Sequence, residues 1–400
     1  MKHRTALTTL LLPGVLLATA TPADAQAVLP VTQGRTSDAP DRAPGARVWA
    51  PDAFPEGTNV GLQDAARGGG RATWAVGARQ TGQGRGTTVT PVAFIRDGAD
   101  RSWHELALPR GLEASAIAPD GADGTWVTGS GQGGSVPVGR YRAGRWQVQD
   151  APLPEHSMGG GIRALAAAGG PDDVWAVGHY QPDDYLTFYG VIEHWNGESW
   201  ERVPTLDLGT DYWTLADVVA TGPSDVWAAG SLGTPDGWTS PLLLHYDGHA
   251  WSKVAAPDLD SRYGELTRLV AAGPGDVWAV GTESGPTRQD RVLAAHFDGR
   301  AWTRQETGLG AGRLDGATRT PGGIAVVGHT RTGSVYQPIG AQLTSRGWQP
   351  LDLPQSSTVG GRIPRSVVTD GNRLTVVGLD ATGKGADGEP LPPQPFSVSG

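Results

Sequence analysis

Between residues 266 and 302 the chain alternates short apolar runs with turn residues. Leu266–Ala272 is apolar, Gly273-Pro-Gly-Asp276 supplies a turn, and Val277–Gly281 is apolar again. After a variable loop, Val292–Phe297 leads through Asp298 and Gly299 to Trp302. Runs of this length, bounded by Gly, Pro and Asp-Gly, predict four short antiparallel strands, the last two joined by a tight hairpin. The unit recurs. Asp173-Val-Trp-Ala-Val-Gly178, Asp225-Val-Trp-Ala-Ala-Gly230 and Asp276-Val-Trp-Ala-Val-Gly281 are near copies, and looser ones end at Gly77, Gly129, Gly328 and Gly378. These glycines lie 47 to 52 residues apart. A second marker follows each strong copy: Asn196-Gly-Glu-Ser-Trp200, Asp247-Gly-His-Ala-Trp251 and Asp298-Gly-Arg-Ala-Trp302, with weaker versions ending at Trp103, Trp146 and Trp348. Seven such units over residues 47–400 predict an all-β fold, a seven-bladed β-propeller of four-stranded antiparallel blades.

The ends of the chain predict how the ring closes. The seventh unit runs out at Pro395–Gly400, before a fourth strand, while Trp49 precedes the first complete unit. Trp49 and Pro55 have the spacing of Trp103/Pro109, Trp146/Pro152, Trp251/Pro257 and Trp348/Pro354. An N-terminal strand is therefore expected to complete the last blade, removing the open edges an unclosed array would leave.

Eleven tryptophans fall in the repeat columns: 74, 126, 175, 227 and 278 in second strands, and 103, 146, 200, 251, 302 and 348 in fourth strands. Packing between blades explains them, each indole N–H needing a partner where it is buried. His194, His245 and His296 are 51 residues apart, so each belongs to a different blade. Sheets pack about 10 Å apart, and zinc–nitrogen bonds are about 2 Å, so these are repeat residues and no metal is expected. Six residues before each turn stand Asp64, Ala116, Leu165, Asp217, Arg268, Asp315 and Arg365, predicting a belt of ion pairs around the central channel. An ion-binding channel is the alternative.

Composition narrows the class further. Glycine at 60 and proline at 31 of 400 residues exclude an all-helical protein. The absence of cysteine excludes disulfides, thiolate metal sites and thiol nucleophiles. A net charge of −9 without basic runs argues against nucleic acid or an anionic membrane as partner. Residues 1–25 read as a secretory signal: Lys2, His3 and Arg4, an apolar run from Leu7 to Ala20, and small residues allowing cleavage after Ala25 or Ala27. Residues 26–46, rich in Pro, Ala, Asp and Arg without periodicity, read as a flexible lead-in. A secreted monomer without membrane insertion is expected.

In a propeller the loops between second and third strands share a face with those linking blades, and here they are the least repetitive segments. Ligand-binding candidates on that rim are His179, Tyr180, Tyr185, Trp213, Trp238, Arg262, Tyr263, Arg288, His329 and Tyr336. Trp213 and Trp238 fall outside the packing columns. Aromatics beside Arg and His suit a polar ligand, a polysaccharide or a protein. No catalytic residue, metal or cofactor is assigned. The alternative is a glycan hydrolase or lyase using Asp183, Asp184, Glu283 or Asp290 as acid and base. Two familiar strings carry no function. Gly129-Ser-Gly-Gln-Gly-Gly134 precedes Val136-Pro-Val rather than a helix, so it makes no phosphate cradle. Asp380-Ala-Thr-Gly-Lys384 resembles one piece of the quinoprotein dehydrogenase motif but lacks its Trp.

The repeat Asp-Val-Trp-Ala-Val-Gly, followed by His, an aromatic, Asn/Asp-Gly and Trp, resembles the Trp-rich repeats of exported actinobacterial propellers. Those are loosely grouped with kelch and galactose-oxidase-like proteins. The resemblance covers about residues 47–400 and implies fold more than activity. Kelch repeats carry a Gly-Gly pair where one Gly stands here, and without cysteine the copper-radical site of galactose oxidase cannot form. Tectonin-type lectins look similar in rhythm, which implies lectin-like binding.

Overall fold

The computed structural model describes residues 47–68, 72–82, 86–98, 100–183, 187–259, 261–284, 289–357, 359–381, 383 and 391–400. The expected signal, residues 1–25, and the lead-in, residues 26–46, lie outside the described residues. Every regular element described is a strand, and the strands form an all-β propeller.

Each repeat builds the sheet that its pattern predicts. In the fourth, Trp213–Gly222, Asp225–Gly233, Thr239–Tyr246 and Trp251–Val254 pair in sequence order, all antiparallel. Five sheets of four or five strands stand singly, and a sixth has eight strands, so the sheets are not the seven separate ones expected. Within the eight-stranded sheet, Arg313–Thr320 through Gly347–Pro350 form one antiparallel run. Gly361–Asp370, Arg373–Ala381, Gln394–Ser399 and Ala50–Pro51 form another. One parallel pair, Tyr336 with Gly361, joins the two runs.

The N-terminal strand does pair with the C-terminal one, Ala50 opposite Ser399 and Pro51 opposite Val398. A buried lock holds this seam. Arg96, 2% exposed, places Nη1 2.8 Å from Asp52 Oδ1. The same Nη1 donates to Ser399 Oγ, and Nη2 donates to Thr375 Oγ1. The first repeat, the last repeat and the N-terminal strand thus share one hydrogen-bonded cluster.

The core lies between repeats. Each hydrophobic cluster is shared by two repeats adjacent in sequence, and one joins Phe94 and Trp103 of the first to Val368 and Val377 of the last. The two tryptophan columns meet across these interfaces. Trp175 packs edge-on against Trp251 of the next repeat at 5.2 Å, and Trp227 against Trp302 at 5.5 Å. His194, His245 and His296 lie over Trp175, Trp227 and Trp278, at 4.4, 4.2 and 4.2 Å. Each donates or accepts at 2.8 Å with the Asp that opens its own marker: Asp173, Asp225 or Asp276. They are interface clamps. Indole N–H satisfaction is less uniform than expected: Trp227 donates to Asp225, whereas Trp175, Trp251 and Trp302 have no protein acceptor among the described residues.

The marker glycine is required by close approach. A Cβ on Gly178 would lie 1.8 Å from the Gly161 carbonyl oxygen, where the first strand bulges against the second.

Candidate functional site

Bulges in the first strands place charged residues in the channel at two levels. In the first, fourth and fifth repeats the bulged residues are Gln63, Ala216 and Thr267, and Asp64, Asp217 and Arg268 follow them. In the third, sixth and seventh repeats the bulge falls on Arg163, Asp315 and Arg365 themselves. The single belt expected from a fixed count therefore mixes two layers. Further irregularities beside the turn, at Ala167/Gly170, Ala220/Gly222 and Ala271/Gly273, alter the count from repeat to repeat. Leu165 belongs to the apolar core, and Arg163 is the charged residue of that strand.

The lower layer is internally satisfied. Arg268 Nη2 donates to Asp64 Oδ1 at 2.9 Å, and its Nη1 lies 4.0 Å from Asp217 Oδ1. Asp64 accepts from the N–H groups of Ala65 and Ile117, and Asp217 from those of Val218 and Leu269. Each carboxylate thus ties its own bulge to the next repeat. Burial pushes Asp217 up to about 6, against the opposing pull of Arg268 and the two N–H bonds. Beside these groups lies a cavity of about 300 Å³, also lined by Thr318, Ser366 and Thr369.

The upper layer is a second network. Arg313 Nη2 donates to Glu265 Oε1 at 2.9 Å and its Nε to Asp315 Oδ1 at 3.2 Å. Asp315 Oδ2 meets His329 Nδ1 at 2.8 Å, and Arg365 Nη1 stands 3.6 Å from Asp315 Oδ1. Burial opposes ionisation of Asp315, but the His329 bond and the Arg365 and Arg313 charges outweigh it and hold it at about 2. Tyr263 is pushed up by burial and by Glu265.

A different corner opens at the third and fourth repeats. Arg163 Nε donates to His179 Nδ1 at 3.3 Å. Burial, and then the Arg163 charge, push His179 down to about 4, so at neutral pH its Nδ1 is free to accept. His179 faces Phe188 at 6.0 Å, and Phe188 meets Tyr212 edge-on at 5.9 Å. Phe188 and Tyr212 form a parallel bridge, which joins the rim loop of the third repeat to the first strand of the fourth. Tyr212 carbonyl accepts from Gly233 N–H, and Thr234 N–H bonds the Trp238 carbonyl. Tyr212 and Trp238, 41% and 42% exposed, therefore stand on neighbouring turns of one rim.

The predicted rim residues separate accordingly. Trp213 is 1% exposed and packs over Gly190, where a Cβ would meet its ring at 1.9 Å. It is a core residue and is withdrawn as a ligand contact. Tyr180 is buried with its hydroxyl 3.4 Å from Thr205 Oγ1, and His329 is buried against Asp315, so neither presents its ring to a ligand. Tyr336 packs edge-on to His329 at 5.2 Å and under Arg331. Tyr263 is half-buried, whereas Arg262 is exposed. His179 lies at the aromatic corner, and Trp238 is on the exposed rim. Tyr185, Arg288 and Asp184 lie outside the described residues. Glu283 is fully buried and paired with Arg304, which removes it as a rim acid. Asp183 and Asp290 are exposed. Arg163 and Phe188 were not among the predicted contacts. An arginine within Ile162-Arg163-Ala164-Leu165, an otherwise apolar strand, was the available signal for the first.

Among the described residues no group of three His, Asp or Glu could hold a metal ion, and no helix is long and apolar enough to cross a membrane. No family model and no curated protein matches the chain. Solved structures do resemble it. YCF48 bound to D1 peptide is 15% identical, with 68% of this chain and 78% of that one covered at a TM-score of 0.43. The fucose-specific lectin from Aleuria aurantia is 13% identical, covering 73% and 94% at 0.47. The NanB sialidase from Streptococcus pneumoniae is 10% identical, covering 88% and 70% at 0.42. At these identities and TM-scores the likeness says nothing of what this chain binds or does.

Proposed function

We propose that the chain is an exported, non-catalytic binding propeller, made mature by removal of residues 1–25, that engages a glycan or a protein through its loop-rich rim. We take the ring as seven-bladed, the eight-stranded sheet being two blades joined at Tyr336 and Gly361. The hydrophobic clusters shared by successive repeats, including last with first, support that count. The observation that carries the functional reading is the pair of exposed rim aromatics, Tyr212 and Trp238, beside the Arg163–His179–Phe188 corner. Large exposed aromatics next to a cation that has no acid partner among the described residues are unneeded by the core and suited to a polar ligand. The hydrolase alternative is weakened by the burial of Glu283 against Arg304.

The test is retention of the purified chain on a panel of polysaccharides and peptides, with released sugar assayed in parallel. Retention without release, lost in Tyr212→Ala and Trp238→Ala, is expected. Released sugar would make the protein an enzyme. Retention untouched by both substitutions would move the site elsewhere.

A further inference from the structure

We infer that the Arg163 corner is a carboxylate subsite, and that the ligand of the rim is a glycan bearing uronic acid. This rests on the binding reading above and adds the chemistry of the ligand.

The arginines of the first strands are unequally matched with acids. Arg268, Arg313 and Arg365 each have a carboxylate within reach: Asp64 at 2.9 Å, Glu265 at 2.9 Å and Asp315 at 3.6 Å. Arg163 has none among the described residues. Among the described residues its one side-chain hydrogen bond is from Nε to the neutral acceptor His179 Nδ1, and neither terminal nitrogen has a partner there. The acid that acts on it electrostatically, Glu265, is already held by Arg313. The Arg163 side chain is exposed, so its terminal N–H groups are open to a ligand anion. The planar fork of a guanidinium, oriented through Nε, presents two parallel N–H groups to a carboxylate.

The neighbours indicate what carries the carboxylate. Phe188 and Tyr212 make an edge-to-face aromatic pair at 5.9 Å, and Phe188 faces His179, the acceptor of Arg163. A pyranuronic acid has its carboxylate directly on the ring, next to an apolar C–H face that can lie on an aromatic. An aspartate or glutamate side chain of a peptide has the anion without that face. With a net charge of −9 the protein as a whole repels polyanions, so binding of one demands a local site.

Calorimetry of the full chain with trigalacturonate, its methyl ester, neutral galactotriose and pentaglutamate tests this. Trigalacturonate is expected to bind, and the ester to bind about tenfold to a hundredfold more weakly. Arg163→Gln should lose the same factor, while Arg163→Lys, which keeps the charge but not the fork, should fall between. Arg346→Gln, at an exposed turn, changes net charge equally and should bind like the parent. An unchanged urea midpoint for Arg163→Gln separates loss of the subsite from loss of fold. Equal binding of acid and ester, or an unaffected Arg163→Gln, would overturn the inference. Binding of galactotriose alone, or of pentaglutamate alone, would overturn it while leaving the rim-binding reading intact. Binding of none, with no retention on the wider panel, would overturn both.

Discussion

Replacing Glu193 by leucine should stabilise the protein, and by more as the pH rises. Glu193 lies in the strand Tyr189–Trp195, opposite Ala176, and is 1% exposed. The residues at the same register in other repeats are Phe94, Leu244 and Ala295, all apolar. Neither carboxylate oxygen has a hydrogen-bond partner among the described residues. Burial pushes the group up to about 8, with Arg202 on the adjacent strand pulling weakly the other way. An unfolded glutamate titrates near 4.3. Between these values the folded chain holds a proton that the unfolded chain has released. Stability is therefore fully present below about 4.3 and lost as pH rises through the window, at about 1.4 kcal/mol per pH unit if this group alone titrates. By pH 7 the loss is about 4 kcal/mol, and the unpartnered neutral acid costs a further ~1–3 kcal/mol at any pH. Leucine removes both costs at similar volume. The assay is the urea midpoint of parent and Glu193→Leu at pH 5, 7 and 8.5. A gap favouring leucine, small at pH 5 and widening to pH 8, is expected. A gap that does not change with pH, or a less stable variant, would refute the reasoning.

Three further predictions concern the scaffold. Arg96→Leu strands Asp52 in the seam and should cost about 3–5 kcal/mol in urea unfolding, whereas Arg96→Met with Asp52→Leu should recover most of that. Gly190→Ala drives a methyl into the Trp213 ring and should cost about 3 kcal/mol, read as a lowered Tm. His245→Ala breaks the Asp225 bond over Trp227 and should cost about 1–3 kcal/mol, while chelator leaves the parent Tm unchanged.

Much of the scaffold was legible in the sequence because it repeats. The Asp-Val-Trp-Ala-Val-Gly marker records local demands, and each recurs in every strong copy: a turn, an interface ring and a glycine crossing a bulge. The same periodicity marked His194, His245 and His296 as repeat residues, and the structure adds that each bonds its own Asp over a tryptophan. The periodicity also anticipated that Trp49 introduces a strand that pairs with the C-terminal one.

What the repeat could not specify is whatever depends on its exceptions. Trp213 stands outside the columns, yet packing against Gly190 buries it; only the neighbouring strand decides that. The longer irregularity at Ala167/Gly170 shifts the count by one in the third repeat and the bulge falls on Arg163 itself, two positions before the counted Leu165. Pairing of charges is likewise tertiary: Arg268 meets Asp64 from 204 residues away, while Arg163 meets no acid among the described residues. The sequence by itself determined the strands, their period and the interface rings, because those obey interactions local to one unit. The tertiary structure alone decided which charges are satisfied and which rim rings stay open, because these depend on distances between units that no single unit encodes.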